Sequence, residues 1–284
     1  MTSDASQPAV DEPGNAPSAA IDRTRASVAR VYDCFLGGKD NYDVDREVFE
    51  QVNRAAPQMS RLARDHREWL VRVTRFLTRS AGIDQFLDCG AGLPTAENTH
   101  QVAQRMNPEA RVVYVDNDPV VAAHGRALLE ENDQTHLVMA DLTEPDQVLE
   151  HPVVTKFLDF NRPLALIQCS TIHHVSDAQR PHEIMERYIE RLPAGSYLAL
   201  THFYDPQDGG DASELARFVE GVFSNSSMGS GFFRTRREIE SFFGDLELVE
   251  PGIARLRDWW PDGPHLNPPT AVDEVLIGGV ARKP

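Results

Sequence analysis

Cysteine is scarce in this chain of 284 residues, and its scarcity limits both the fold and the compartment. The three cysteines, Cys34, Cys89 and Cys169, lie in unrelated segments and form no C-x-x-C pair. An odd count without framework spacing argues against a disulfide scaffold and for reduced thiols in a cytoplasmic protein. We also expect no bound metal.

Long apolar runs and positive charge are scarce as well. No stretch approaches the ~20 apolar residues of a membrane-spanning helix, and no signal-peptide core follows Met1. The 28 basic residues face 44 acidic ones, so the formal net charge is −16, and such a field repels nucleic-acid backbones. The densest basic stretches, 61–79 and 234–237, are typical of solvated helix faces. We therefore predict no nucleic-acid partner and no membrane partner.

The composition divides the chain into three parts. Residues 1–20 contain no Lys or Arg and almost nothing to bury, which predicts a disordered tail. Residues 21–80 carry apolar residues at helical spacing and predict an N-terminal helical lobe. From residue 81 to 284, strand-like and helical patterns alternate. The predicted strands are 85–89, 111–115, 136–140, 163–169, 196–203, 246–250 and 272–281.

This alternation, followed by a terminal pair of strands, predicts an α/β fold. We expect an open, doubly wound, mostly parallel sheet of seven strands with an antiparallel C-terminal edge. The helices predicted between the strands are 95–106, 119–131, 144–150, 178–191, 211–223 and 235–243. In such a domain the ligand lies beyond the carboxyl ends of the strands, so the loops that follow the strands are the expected binding site.

The loop after the first predicted strand has the layout of a nucleotide-binding turn. Asp88 ends the apolar run, and Gly90 and Gly92 follow, where glycine permits positive φ and close approach of a ligand to the backbone. Thr95 occupies the third glycine position of the dinucleotide fingerprint, and Pro94 lacks the N–H that a pyrophosphate would use. The turn therefore favours a ligand without phosphates.

The next two strands also end in polar residues. Asp116 lies 24 residues beyond Gly92, near where a carboxylate binds ribose hydroxyls in such folds, and Asn117 follows it. Asp141 and Leu142 could frame a purine, although Asp141 could equally cap the next helix.

Histidines supply the candidates for acid–base chemistry. Ser170, His173 and His174 follow strand 163–169 at the expected floor of the cleft, and His202 lies at the end of the next strand. Imidazole titrates near neutral pH, so each of the three histidines is a candidate general base, with a structural role as the alternative. Two aromatic pairs, 232–233 and 259–260, could wall an acceptor pocket or simply anchor a loop.

Together these segments resemble a class I S-adenosylmethionine-dependent methyltransferase, and more narrowly the bacterial family known as S-adenosyl methyltransferases. The resemblance covers residues 25–282. It rests on RVYDCFLGGKDNY at 30–42, FLDCGAGLPT at 86–95, VYVDNDP at 113–119, PAGSYLALTH at 193–202 and LELVEPG at 246–252. It implies a Rossmann-like fold with an N-terminal helical lid, and S-adenosyl-L-methionine as the cofactor.

The resemblance also implies roles for individual residues. The glycines of the first turn would admit the methionine moiety, Asp88 would orient its amino group, Asp116 would hold the ribose, and Asp141 with Leu142 would frame the adenine. The turn at 37–42 would close over the cofactor, although on composition alone it is a helix-breaking turn. The residues expected to bind the cofactor are Tyr32, Gly38, Lys39, Asn41, Asp88, Gly90, Gly92, Asp116, Asn117, Asp141, Leu142 and Ser170.

The implied activity is methyl transfer to oxygen or nitrogen of a small-molecule acceptor. His173, His174 or His202 would remove a proton where the acceptor releases one. Two alternatives stay open. An NAD-dependent oxidoreductase shares the strand–glycine–acid pattern, and a non-catalytic cofactor-binding regulatory module would account for His174, which replaces an aromatic residue of the family. The sequence predicts neither the acceptor nor the oligomeric state.

Overall fold

The computed structural model describes residues 21–95, 97–128 and 132–284, so the tail predicted at 1–20 lies outside the described residues. Three helices come first: α1 (Val28–Leu36), α2 (Asp43–Ala55) and α3 (Met59–Arg79). Ser27 caps α1 by accepting from the Arg30 N–H, and Gly37 ends the helix with a left-handed φ of 78°. Among the described residues, no helix has both the length and the apolar character of a membrane span.

An eight-stranded mixed sheet follows. Its strands are β1 (Gln85–Cys89), β2 (Arg111–Asp116), β3 (Thr135–Met139), β4 (Ala165–Cys169), β5 (Tyr197–Phe203), β6 (Glu247–Leu248), β7 (Ala254–Arg255) and β8 (Leu276–Arg282). The order is β3-β2-β1-β4-β5-β8-β6, with β7 also paired to β8. The first five strands are parallel, and β8 runs antiparallel to β5. The predicted doubly wound sheet with an antiparallel C-terminal edge is confirmed.

The C-terminal edge differs from the prediction in detail. The sheet has eight strands rather than seven, because β7 contributes only two residues, too few for an alternating pattern to reveal. The predicted strand 272–281 begins only at Leu276, since residues Ala271–Glu274 form a short helix, α11. The remaining helices are α4 (Thr99–Met106), α5 (Pro119–Leu128), α6 (Pro145–Leu149), α7 (Pro152–Phe157), α8 (Pro181–Arg191), α9 (Asp211–Asn225) and α10 (Arg236–Ser241).

Helices cover both faces of the sheet, which explains why its central strands are apolar throughout. Phe86 and Leu87, adjacent on β1, are both fully buried and belong to two different apolar clusters. The cluster around Phe86 includes residues of α1, α2, α3 and α9, whereas the cluster around Leu87 includes residues of α6, α7, α8 and α10. The N-terminal helices are therefore one of the two layers that enclose the sheet.

Candidate active site

A cavity of about 770 Å³ lies at the carboxyl ends of the parallel strands, under α1 and α3. Its lining has two chemically different halves. One half, here called the acidic half, is lined by residues at the ends of β1 and β2 and in the loops after β1 and β3: Asp88, Gly90, Gly92, Asp116 and Asp141. The other, the apolar half, is lined by Phe35, Leu62, Leu70, Phe203 and Phe223 of α1, α3, β5 and α9. The site thus sits where an open α/β sheet is expected to bind its ligand.

The two glycines of the first turn have different reasons to be glycine. Both have positive φ, 83° at Gly90 and 63° at Gly92. A Cβ at Gly90 would lie 2.1 Å from Cγ2 of Thr171, so its missing side chain makes room for a protein neighbour rather than for a ligand. A Cβ at Gly92 would meet no atom within 4 Å, which leaves open space beside the backbone of the acidic half. Of the two, Gly92 has the environment expected for ligand approach.

Two carboxylates flank this turn. Asp88 accepts from the Thr99 hydroxyl at 2.7 Å, and burial raises the pKa of Asp88 to about 6 against the effects of Thr99 and Arg67. Asp116 accepts from the backbone N–H groups of Gly92 and Asp118, both at 2.9 Å. Burial raises the pKa of Asp116 to about 6 as well. Both groups are mostly ionised at neutral pH, so the acidic half is suited to a cation and to hydroxyl donors.

Arg67 of α3 also lines the cavity, and the sequence prediction missed it. Its Nε is buried and has no hydrogen-bond partner among the described residues, while its Nη2 donates to the Glu97 carbonyl at 3.3 Å. The stretch 61–79 was assigned to a solvated helix face. Arg67 nevertheless follows Ala63 by four residues and precedes Leu70 by three, and this helical phase places it on their buried face.

The loop after β3 brings Asp141 and Leu142 to the cavity together with Asn117 from the loop after β2. The Asp141 carboxylate accepts from the N–H and the hydroxyl of Thr143, each at 2.8 Å. It does not cap α6, because that helix begins at Pro145 with Glu144 as its N-cap residue. The capping alternative for Asp141 is therefore wrong, and its carboxylate lines the cavity.

Three residues expected at the cofactor are not brought to the cavity: Gly38, Lys39 and Asn41 are absent from its lining. Their turn is organised around Asp33 of α1 instead. The Asp33 carboxylate accepts from Asp40 N–H at 3.0 Å and from Asn41 Nδ2 at 2.8 Å, and a Cβ at Gly38 would overlap it at 1.9 Å. The segment that lines the cavity lies just before this turn and includes Ser27, Arg30 and Tyr32, of which Tyr32 was predicted.

His202, a predicted candidate for the general base, does not line the cavity, and both of its ring nitrogens are engaged. Nδ1–H donates to the Phe203 carbonyl at 2.7 Å, and Nε2 accepts from Arg234 at 2.9 Å. Burial lowers the pKa of His202 to about 3. Its role is to hold Arg234, which also donates to the Val175 carbonyl and to Asp177.

His173 and His174 do line the cavity, in neutral form. Burial lowers the pKa of His173 well below its usual value and that of His174 to about 4. His173 Nδ1 accepts from the Phe203 N–H at 3.3 Å, so the ring proton lies on Nε2, which has no partner among the described residues. His174 Nδ1 lies 3.0 Å from the Ser230 hydroxyl. His173 thus carries a buried N–H donor on Nε2 rather than a lone pair.

A third histidine at the cavity, His66 of α3, was missed by the sequence prediction. Its Nδ1 lies 2.9 Å from the Tyr32 hydroxyl, and its Nε2 lies 3.1 Å from the Thr201 hydroxyl and 3.2 Å from that of Ser170. Ser170 was predicted from its place after β4, and it has a left-handed φ of 58°. No local pattern marks His66, because its neighbours in the network come from α1, β4 and β5.

The tryptophan pair does not wall the acceptor pocket. Trp259 is fully buried against Trp69 and Phe76 of α3, and Trp260 packs on Phe76. Neither tryptophan lines the cavity, and neither does the 232–233 pair. The alternative, that these aromatics anchor a loop, agrees with these contacts.

Comparison with known protein families identifies the chain. The model of the S-adenosyl methyltransferase family matches residues 14–284. The chain belongs to this family. S-adenosyl-L-methionine is therefore its cofactor, and the protein is an enzyme that transfers methyl groups, as the resemblance implied.

Solved structures agree with this assignment. A Thermobifida fusca protein designated a candidate methyltransferase is 40% identical, with a TM-score of 0.85 over 91% of this chain and 95% of its own. A DUF574 family protein from Streptomyces avermitilis is 38% identical, with a TM-score of 0.87 over 93% of this chain and 100% of its own. The N-methyltransferase NodS from Bradyrhizobium japonicum, solved with S-adenosyl-L-homocysteine, shares the fold at 12% identity, with a TM-score of 0.50 over 90% of this chain and 99% of its own. No curated protein matches the chain.

The residues of this S-adenosyl methyltransferase fit the cofactor. Open space at Gly92 accommodates a ligand against the backbone, and Asp116 presents a carboxylate at the end of β2. At the other side of the turn, Asp88 and the unpartnered Nε of Arg67 supply one negative and one positive group. Such a pair is complementary to the ammonium and carboxylate of an amino acid.

Proposed function

We propose that this methyltransferase modifies a small-molecule acceptor at oxygen or nitrogen, within the cavity described above. The observation that carries the proposal is the cavity itself. Its volume of about 770 Å³ lies in the range of small-molecule sites, and the apolar half adjoins the acidic half under the cover of α1 and α3. A site of this kind encloses a cofactor and a small acceptor together, which suits a reaction that water must not enter.

In the acidic half we assign residues to the parts of the cofactor. Asp116 accepts from the ribose hydroxyls, and Asp141 with Leu142 frames the adenine beside Asn117. Asp88 accepts from the ammonium group, and Arg67 donates to the carboxylate. Gly92 leaves the backbone open for the amino-acid chain, whereas Gly90 acts indirectly by letting the turn pack on Thr171. Tyr32 and Ser170 lie at the border of the two halves.

When bound, the cofactor supplies a methyl group that is activated by a sulfonium. The protein must therefore hold the acceptor in line with that methyl group and exclude water, and such positioning supplies much of the rate enhancement. An amine acceptor needs little more than its free lone pair. A hydroxyl acceptor must also lose a proton. We assign the role of orienting an acceptor oxygen to His173, whose buried Nε2–H has no partner among the described residues.

The family match selects the methyltransferase over the nicotinamide-dependent alternative, and it favours an active enzyme over a cofactor-binding module. We keep the reducing cytoplasm as the proposed compartment, in agreement with three buried cysteines that are free thiols.

Incubation with methyl-labelled S-adenosylmethionine and a cell extract tests the proposal. After the reaction, small molecules, proteins and nucleic acids are separated and counted. We expect the label in the small-molecule fraction. The control is the same incubation without added enzyme, in which this fraction should stay unlabelled. Label confined to protein or nucleic acid would show that the acceptor is a macromolecule and would refute the proposal.

A further inference from the structure

We propose that the acceptor is a neutral, largely apolar molecule methylated at a hydroxyl group, and that His66, reached through Ser170, takes the hydroxyl proton. This inference rests on the proposed function and narrows its substrate class. It follows from three properties of the cavity: where its charges lie, which tautomer His66 adopts, and which hydroxyls surround His66.

The side chains of the apolar half include no charged group. The charged residues of the lining come from residues 22–30, from Arg67 of α3, from the ends of β1 and β2, and from the loops after β2 and β3. Phe35, Leu62, Leu70, Phe203 and Phe223 line the apolar half and all belong to one apolar cluster of the core. The histidines that border this half are neutral, since burial lowers their pKa values. A charged acceptor would lose its hydration here. It would gain no free counter-ion, because Arg67, the charged residue that α3 contributes to the lining, is assigned to the carboxylate of the cofactor, and the loss of hydration is costly.

The hydrogen bonds around His66 determine which nitrogen carries its proton. The Tyr32 hydroxyl donates to the Ala63 carbonyl at 3.0 Å, so it cannot also donate to His66. His66 Nδ1–H is therefore the donor in the 2.9 Å contact with the Tyr32 oxygen. Nε2 consequently carries the lone pair, and it points at the hydroxyls of Thr201 and Ser170. Burial lowers the pKa of His66 to about 3, so this lone pair is present at neutral pH.

Ser170 links this lone pair to the cavity. Its backbone N–H donates to the Thr201 hydroxyl oxygen at 2.8 Å, and its left-handed φ holds Oγ 3.2 Å from His66 Nε2. Both Ser170 and His66 line the cavity, whereas Thr201 is fully buried behind them. A hydroxyl of the acceptor that donates to Ser170 Oγ therefore gains a route for its proton to His66.

The atoms and charges of this reaction balance. The acceptor oxygen forms the new O–CH₃ bond, and the electron pair of the broken C–S bond goes to the sulfur. The acceptor proton passes to Ser170 Oγ, and the Ser170 proton passes to His66 Nε2. One positive charge is lost at the sulfonium and one is gained at the imidazolium. A methylated hydroxyl that still carries its proton is a far stronger acid than an imidazolium, so His66 is basic enough to accept it.

Binding of matched probes tests the substrate class. The probes are 2-naphthol, 2-naphthoate and 2-naphthylmethylammonium, titrated into the full chain saturated with S-adenosylhomocysteine. We expect 2-naphthol to bind at least about tenfold more tightly than either charged probe, since only the charged probes lose ionic hydration. Equal or tighter binding of a charged probe overturns the neutral class, and so does failure of 2-naphthol to bind to protein that holds S-adenosylhomocysteine.

Turnover of 2-naphthol and 2-naphthalenethiol tests the proton route. His66→Gln is expected to lower kcat for 2-naphthol by about 10²–10⁴-fold, the usual contribution of a general base, and to affect the thiol much less, because thiols ionise without help. Ser170→Gly keeps the left-handed backbone and should show the same selectivity. The exposed His182→Gln is the control and should behave as wild type. Equal losses for both probes, or no methylation of 2-naphthol by the wild type, overturn the route.

These outcomes are distinct from a failure of the proposed function. If the extract experiment labels small molecules while 2-naphthol is neither bound nor methylated, only the present inference fails. If the extract experiment labels a macromolecule, the small-molecule proposal itself fails. Retained binding of S-adenosylhomocysteine and an unchanged melting temperature show that each variant is folded.

Discussion

The two halves of the cavity differ in how they obtain selectivity. The acidic half places ionised groups, Asp88 and Asp116, at the ends of strands β1 and β2. The apolar half is instead assembled from side chains of α1, α3, β5 and α9, which are distant in sequence. The first half is suited to a ligand that every turnover shares, with fixed charges at fixed positions. The second half provides shape complementarity and excludes water, and both properties change easily when the side chains that line it change. On the proposed assignment of the two halves, recognition of the cofactor is local in the chain and recognition of the acceptor is not.

The largest effect that would test this comparison is expected at Asp116. Asp116→Ala removes the proposed acceptor of two ribose hydroxyls, and charge-assisted hydrogen bonds of about 1.5–3 kcal/mol each predict that the Kd of S-adenosylhomocysteine rises by roughly 10²–10⁴-fold. Calorimetric titration measures this, and circular dichroism checks the fold. Asp245→Ala, at an exposed position outside the cavity lining, is the matched control. Unchanged affinity in Asp116→Ala would exclude the ribose role.

The two glycines of the turn provide a second test, on stability. Gly90→Ala places a Cβ against Thr171 at positive φ and should lower the free energy of unfolding by about 2–4 kcal/mol. In Gly92→Ala the new Cβ would contact no neighbour among the described residues. The free energy of unfolding should therefore fall by only about 1–2 kcal/mol, because of the positive φ. Chemical denaturation compares the two variants.

A double variant gives the matched control for this pair. Thr171→Ser removes Cγ2, the atom that the new Cβ at residue 90 would approach. It should therefore restore part of the stability of Gly90→Ala and none of that of Gly92→Ala. If Thr171→Ser restores both equally, the contact does not explain why residue 90 is glycine.

Arg67 gives a third test, because its proposed partner is a single group of the cofactor. Arg67→Gln should raise the Kd of S-adenosylhomocysteine by about 10–100-fold, which is the range for loss of a charge-assisted hydrogen bond. The same variant should bind methylthioadenosine as the wild type does, since that molecule lacks the amino-acid carboxylate. Arg64→Gln, on the exposed face of α3, is the control. Equal weakening of both ligands would mean that Arg67 acts on the fold of the cavity.

Counted for a single group, the smallest expected effect is on pH dependence. Burial raises the pKa values of Asp88 and Asp116 to about 6, so lowering the pH from 7 to 5 neutralises both groups. Affinity for S-adenosylhomocysteine should fall by about tenfold per carboxylate. Because these folded-state pKa values exceed the unfolded value, the same change should stabilise the unliganded protein through these two groups. Calorimetric titrations with S-adenosylhomocysteine at both pH values check this. In Asp116→Asn only Asp88 still titrates, so the change in log Kd between the two pH values should be about half of that in the wild type.

The acidic half was predicted from the sequence because its residues follow strands directly. Asp88 and Asp116 lie at the ends of parallel strands and Asp141 lies in the loop after one, and parallel topology brings these positions to one edge. The apolar half depends on how α3 packs across the sheet. His66 was missed because its partners are distant in sequence, and Arg67 was missed although its helical phase relative to Ala63 and Leu70 marks it. The partner of His202, Arg234, lies 32 residues further along the chain, so the sequence did not show that both ring nitrogens of His202 are engaged.

The turn at 37–42 was predicted to bind the cofactor, but the structure places it outside the cavity lining. Its glycine pair was expected to cover the cofactor, yet the backbone geometry there is explained by the carboxylate of Asp33 alone. The contacts of this motif are explained by the folding of the turn, whereas the adjoining residues of α1 line the cavity.

The packing of α3 has a practical consequence for dissecting the protein. Trp69 of α3 is fully buried, and its ring would lie 3.1 Å from a Cβ at Gly278 in the middle of β8. The N-terminal helices and the last strand therefore meet inside one core, although they stand at opposite ends of the chain. A fragment that starts at residue 81 would expose the part of the sheet face that α1, α2 and α3 cover, and we expect it to aggregate rather than to behave as a minimal catalytic unit.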